Sequence, residues 1–241
     1  IVAARIRHPH VIEVIGAGEL PRERPDAPSE RYLVLEFLPG PSLRSLLGSA
    51  GGMLPLPRAL HIVLQICDAI GEAHELGIVH RDLKPGNVML VRRGDDPHFV
   101  KLLDFGLSRQ SGAQAGFETR AGSVLGTARY LSPGGARGDP VGPPADVYSI
   151  ATMLFECLAG RTPFDAESAV ALLVRRTQDT AMDVRSTPSG AHVPEALAAL
   201  LASSLARDVS RRPPDARELG RKLFAAATAS GLAPGELLPR S

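Results

Sequence analysis

Eight consecutive residues, His80-Arg81-Asp82-Leu83-Lys84-Pro85-Gly86-Asn87, bring a carboxylate, an ammonium and a carboxamide together, and Asp104-Phe105-Gly106 adds a second carboxylate seventeen positions after Asn87. Moving a γ-phosphoryl group to a hydroxyl needs alignment, charge neutralisation and a destination for the hydroxyl proton. Asp82 can accept or orient the hydroxyl. Lys84 can reach the transferring phosphate. Asn87 and Asp104 offer oxygens to Mg²⁺, a hard cation that prefers such ligands and keeps several waters. Gly106 gives the backbone freedom to reverse, and Phe105 reads as structural packing. Asp-Phe-Gly alone is a weak signal. Both motifs in this order, flanking a strand pair, are specific.

The elements that must hold these residues can be read from periodicity. Residues 1–7 read as the tail of a helix that ends at His8-Pro9-His10, because the residue before a proline is pushed out of the helical region. A strand is expected over Val11–Ile15, closed by Gly16 and Gly18, and a second over Tyr32–Phe37 after a solvated loop from Leu20 to Glu30. Ser42 should cap a short helix to Leu47, and Pro57 should open a long one to about Leu76. In that helix Leu60, Val63, Leu64, Cys67 and Ile70 share one stripe. His61 and His74 lie on it without ligand-spaced partners and read as packed or surface histidines.

Val88–Val91 and Phe99–Leu103 read as a strand pair around a polar turn over Arg92–Pro97. The Gly/Ser/Ala-rich stretch 107–126 has no periodicity and is expected to be a loop. Helices are predicted over Ala145–Ala159, Ala166–Thr177, Pro194–Leu205 and Asp215–Ala229, with residues 231–241 resembling a linker. The sum is an α+β chain: two strands in front and a mostly helical body.

The chain has 241 residues, enough for a sizeable core, and 27 basic against 26 acidic side chains. That balance gives no reason to expect nucleic-acid or membrane-surface binding through bulk charge. Only Lys84, Lys101 and Lys222 are lysines, and the wealth of Arg, Ala, Gly and Pro suggests a GC-rich bacterial coding sequence. Cys67 and Cys157 sit in apolar helical patterns and read as buried hydrophobes, not as a disulfide or metal pair. No apolar run reaches the ~18 residues of a membrane span, and no signal peptide is visible. A cytoplasmic location is expected for these residues, with any membrane anchor outside them.

At this point the residues resemble those of a Hanks-type bacterial serine/threonine protein kinase, from Ile1 to about Ala229. That resemblance implies a two-lobed fold, with residues 1–38 the remnant of the first lobe and 39–230 the second. It implies ATP and Mg²⁺ as cofactors and protein Ser/Thr hydroxyls as acceptors. Leu35 matches the gatekeeper, and Glu36, Phe37 and Leu38 match the hinge whose backbone holds adenine. Thr127, in Gly126-Thr127-Ala128-Arg129-Tyr130-Leu131-Ser132-Pro133, would hydrogen-bond Asp82 and Lys84 in the segment that seats the residue after the acceptor. Asp146 matches the helix aspartate that fixes the catalytic-loop backbone. Arg81 matches the receiver of a loop phosphate, for which Thr119 or Ser123 would be the acceptor, and a homodimer could carry out that autophosphorylation.

Three features depart from the family pattern. No glycine-rich loop, strand lysine or partner glutamate for ATP precedes the motifs, so the sequence reads as an internal fragment whose 241 residues alone should transfer little phosphate. Gly134 stands where the family has a Glu that pairs with a buried arginine, here Arg212, whose replacement partner is expected to be Asp208 or water. Gly86 takes a position where kinases preferring basic substrates carry Glu. A non-catalytic pseudokinase or scaffold is the competing reading, although such proteins usually lose Asp82 or Asp104. A small-molecule phosphotransferase of related fold fits less well, because residues 126–133 serve a peptide acceptor.

Overall fold

The computed structural model describes residues 6–20, 31–105, 126 and 128–237. Strands β1 (Val14–Glu19) and β2 (Arg31–Leu35) pair antiparallel, and β3 (Val88–Arg93) pairs with β4 (Asp96–Leu102) in a second two-stranded sheet. The helices are α1 (Leu43–Ser49), α2 (Leu56–Glu75), α3 (Pro133–Arg137), α4 (Pro143–Ala159), α5 (Ala169–Gln178), α6 (Glu195–Ser204), α7 (Ala216–Ala229) and α8 (Pro234–Leu237). None of them is long and apolar enough to cross a membrane. The α+β pattern of two strands in front and a helical body is the one expected.

Local chemistry accounts for most boundaries. Ser42, Ser168 and Asp215 cap α1, α5 and α7, each accepting from the backbone N–H three residues on. The predicted stripe of α2 is buried, but so are Ala59, Ile62, Ile66, Ala69 and Ala73. More than one face is covered because α4, α7, α8 and β4 all pack around α2. Nearly all of α4 is buried as well, so these two helices form the centre of the core.

Four sequence expectations need correction. β1 begins at Val14, and Val11 instead forms an isolated bridge with Leu102. Gly16 and Gly18 lie inside the strand: the register shifts between Val14 and Gly16, and a Cβ at Gly18 would stand 2.5 Å from the Tyr32 hydroxyl. The expected turn over 92–97 is a tight hairpin in which Arg93 pairs Asp96 and Gly94 takes φ 57°, so β4 starts earlier. Ile6 and Arg7 are not helical, while residues 1–5 of that expected helix, and most of the expected loops over 20–30 and 107–126, lie outside the described residues.

The fourth correction concerns the linker. Residues 234–237 form the single turn α8, and its Leu237 is fully buried against the core. Leu237→Ala should therefore lower unfolding stability by about 2 kcal/mol, read as a shifted urea midpoint at constant slope. A true linker residue would leave the midpoint unchanged.

The front ribbon is tied to the second sheet at a few points. Ile12 N–H donates to Leu102 O (2.9 Å), and Leu102 N–H donates to His10 O (2.8 Å). Lys101 Nζ, on β4, adds an ion pair to Glu36 Oε1 at 2.6 Å.

Candidate active site

The backbone of His80 and Arg81 hangs from one buried carboxylate. Asp146, in the first turn of α4 and 0% exposed, accepts His80 N–H (2.7 Å) at Oδ2 and Arg81 N–H (2.9 Å) at Oδ1. His74 Nε2 also bonds Oδ2 at 3.0 Å. Because Ala216 N–H donates to His74 Nδ1 (3.2 Å), that nitrogen carries no proton, and Nε2 is the donor to Asp146. His74 thus links the first turn of α7 to the loop, a packed role that its position in α2 alone did not reveal.

These bonds hold Arg81 at φ 68°, in the left-handed region that non-glycine residues seldom adopt; such a residue costs about 1–3 kcal/mol. Asp104 is held likewise at φ 57°. Just before the first kink, His80 is buried, donates from Nε2 to Leu103 O (3.0 Å) and packs its ring, tilted by 55°, 4.7 Å from the buried ring of Phe105.

Asp82 follows the first kink. Its Oδ2 accepts from Lys84 Nζ at 2.8 Å and from Asn87 Nδ2 at 3.2 Å, and Nδ2 also donates to Asp82 O at 2.9 Å. Both donations commit the NH₂ end of the Asn87 amide to Asp82 and leave Oδ1 as its ligand end. Leu103 N–H donates to Asn87 O (2.9 Å), which fastens the backbone leading to the exposed Asp104 beside this turn. The donor set is two side-chain oxygens, one amide and one carboxylate. Among the described residues no cluster of three His, Cys, Asp or Glu side chains could hold a metal. That combination fits Mg²⁺, which needs one or two protein oxygens beside waters and phosphate, and does not fit a caged ion.

Arg81, exposed, lines a cavity of about 270 Å³ together with Asp82, Lys84, Leu131 and Ser132. The structure thus brings Arg81, Asp82, Lys84 and Asn87 together. Gly106, Thr119, Ser123 and Thr127 lie outside the described residues.

At the hinge positions, Leu35 and Leu38 are half-buried, and Glu36 turns its side chain inward. Glu36 N–H donates to Glu13 O (3.1 Å), and Glu36 Oε1 accepts from Glu13 N–H (2.8 Å) and Lys101. Burial alone would raise this carboxyl's pKa, but the hydrogen bonds from Lys101 and Glu13 and the Lys101 charge hold it below 4.5. A lowered folded-state pKa contributes stability above the unfolded value, lost as pH falls through the folded one. The stability difference between wild type and Glu36→Gln should therefore be largest near neutral pH and shrink as pH falls below the ordinary carboxylate range, measured as melting temperature against pH.

Arg212 corrects another expectation. It is buried, yet Asp208 does not replace the glutamate that Gly134 lacks. Its Nε, Nη1 and Nη2 donate to the carbonyls of Ala206 (2.8 Å), Pro144 (3.1 Å) and Arg207 (3.3 Å), and its guanidinium lies 5.0 Å from the Tyr148 ring centre. Asp208 instead caps a turn through Ser210. Sequence reasoning also passed over Arg176, buried and bonded to the backbone of 128–131; its one signal is a spacing of four from the buried Leu172.

Comparison with known proteins agrees with this geometry. The protein kinase domain family matches residues 1–224. The serine/threonine-protein kinase PknB of Mycobacterium tuberculosis is 35% identical over 211 residues, 88% of this chain and 32% of PknB. PksC, a serine/threonine-protein kinase of Streptomyces coelicolor, is 34% identical over 239 residues, 98% of this chain and 41% of PksC. The chain thus spans less than half the length of these relatives. The crystal structure of the Mycobacterium tuberculosis PknI kinase domain superposes with a TM-score of 0.67 at 23% identity, over 94% of this chain and 75% of that one, which establishes the fold. By family match, by relatives and by fold, the chain belongs to the protein kinase domain family.

Proposed function

We propose that this chain carries the acceptor and metal side of an ATP-dependent phosphoryl transfer to Ser/Thr hydroxyls of proteins, completed by the full-length protein. The observation that supports it most is the Asp82 carboxylate, within 3.2 Å of both Lys84 and Asn87 and held on a loop pinned by Asp146. Asp82 orients the acceptor hydroxyl and receives its proton. Lys84 pairs with Asp82 and presents its ammonium to the incoming phosphate. Asn87 Oδ1 and Asp104 hold Mg²⁺, which when bound neutralises charge on the phosphate oxygens. Leu35, Glu36 and Leu38 line the adenine side, and Thr127 steadies Asp82 and Lys84.

Arg81, exposed beside Asp82, receives a phosphate on Thr119 or Ser123 and so orders the segment before Gly126. Residues 1–230 act as one kinase domain and recognise protein substrates, with autophosphorylation between two copies. The segment is cytoplasmic. Mass spectrometry of the full-length protein after incubation with ATP should show phosphate on Thr119 or Ser123; phosphate on neither would remove this regulatory reading.

The test of the main reading is transfer of labelled phosphate from ATP by the full-length protein to matched Ser, Thr and Tyr peptides. Label should reach the Ser and Thr peptides, not the Tyr peptide, and should stop when EDTA removes divalent ions. No transfer under any condition would favour the scaffold reading instead.

A further inference from the structure

Arg176 is the least expected side chain in the molecule. It lies on α5, is 0% exposed and makes no ion pair to any described carboxylate. Its neighbour Arg175 is solvated and reaches Asp165 O at 3.0 Å. Burying a guanidinium is expensive unless its donors are satisfied. Arg176 satisfies its Nη donors on backbone, Nη1 donating to Ala128 O (2.8 Å) and to Leu131 O and Nη2 to Arg129 O, while its buried Nε has no partner among the described residues. The rings of Tyr148 and Phe164, centred 5.5 and 5.8 Å from its Cζ, give the cation two π faces.

The one carbonyl of this run that Arg176 leaves is taken by another element. Ser149 Oγ, on α4, donates to Tyr130 O at 2.8 Å. Tyr130 Oη then donates to Glu156 Oε2 at 2.6 Å, and burial with the nearby Glu156 charge pushes its ionisation well above the usual range. All four carbonyls from Ala128 to Leu131 are thus held by side chains from two helices. Ladder hydrogen bonds of a strand or helix would hold such a run without any side chain. Among the described residues, three of the four carbonyl anchors of this run come from Arg176.

On one side of this run is the cavity that Leu131 and Ser132 share with Arg81, Asp82 and Lys84. On the other is α5. We propose that Arg176 is a positioning residue for acceptor binding: by fixing the Ala128, Arg129 and Leu131 carbonyls it sets the surface that receives the acceptor chain beside Asp82. This rests on the reading of the site as a phosphoryl-transfer site for protein acceptors. The planar fork of the guanidinium is what the geometry requires, since one ammonium cannot span carbonyls on both sides of Tyr130.

Two measurements on the full-length protein test it, one independent of activity. The first is the initial rate of tryptic cleavage after Arg129, followed by mass spectrometry, in Arg176→Met, Arg176→Lys and the solvated control Arg175→Met. Arg176→Met keeps volume and removes the clamp, so cleavage there should rise at least about tenfold over the control. The second is steady-state kinetics, in which Arg176→Met should raise the acceptor-peptide KM at least about tenfold with the ATP KM within about twofold, and Arg176→Lys should fall between. Cleavage within about twofold of the control in a folded Arg176→Met overturns the proposal. So does a loosened segment with an unchanged acceptor KM. If Arg176→Met does not fold, Arg176→Lys decides: wild-type cleavage and wild-type KM would show that charge alone suffices and overturn it. If the wild type transfers no phosphate, the functional reading fails by itself, and cleavage after Arg129 still reports whether Arg176 holds the run.

Discussion

Asp82→Asn in the full-length protein should lower phosphoryl transfer by about 10²–10⁴-fold while changing unfolding stability by less than about 1 kcal/mol. The two expectations separate because of where Asp82 sits. Its side chain is 31% exposed and its ion pair with Lys84 is 25% exposed on the lysine side, so the fold gains little from the charge. The chemistry, by contrast, needs a group that both orients the acceptor hydroxyl and receives its proton, and a carboxamide does only the first. The check is a labelled-phosphate assay beside a thermal melt of each protein. Equal activity of wild type and Asp82→Asn would remove Asp82 from the mechanism.

Asp146 should behave in the opposite way, damaging the fold first. Its carboxylate is fully buried and faces three donors: His80 N–H, Arg81 N–H and His74 Nε2–H. Asp146→Ala leaves all three unpaired in the core and should cost about 3–5 kcal/mol. Asp146→Asn is no rescue. Either orientation of its amide sets an NH₂ group against a donor, so a loss of about 1–3 kcal/mol is expected even with volume unchanged. Urea unfolding of the three proteins gives the comparison, provided the slope with denaturant stays constant. Activity should fall along with stability, because Arg81 at φ 68° would relax and carry Asp82 out of register. Full stability in Asp146→Asn would mean that the loop is held by other contacts.

The parts of this site that were legible in the sequence are those whose chemistry is local. Asp82, Lys84 and Asn87 fall within one turn, so their mutual distances follow from chain geometry, and the structure brings them within hydrogen-bonding reach. The α2 stripe was legible because its apolar residues follow helical period; the burial of the other faces of α2 depends on elements distant along the chain. What the sequence did not disclose depends on partners distant along the chain. Arg175 and Arg176 are identical in type and adjacent, yet one is solvated and the other buried, and only the carbonyls of 128–131 decide between them. Arg212 looked orphaned by Gly134, but three carbonyls and a tyrosine ring stand in for the acid. The end of β1 was misjudged because glycine ordinarily closes a strand, whereas Gly18 lies inside one, against the Tyr32 ring.

The ties between the front ribbon and β4 have a mechanical consequence. Residues 10–12 are stitched to Leu102, and Glu36 is clasped by Lys101, the residue just before it. Two positions beyond Leu102 comes Asp104. Both ties therefore meet the C-terminal end of β4, the end that runs directly on to Asp104. A tilt of the ribbon should reach Asp104 through two or three residues of backbone, so the positions proposed for the adenine side and for the metal are expected to move in step.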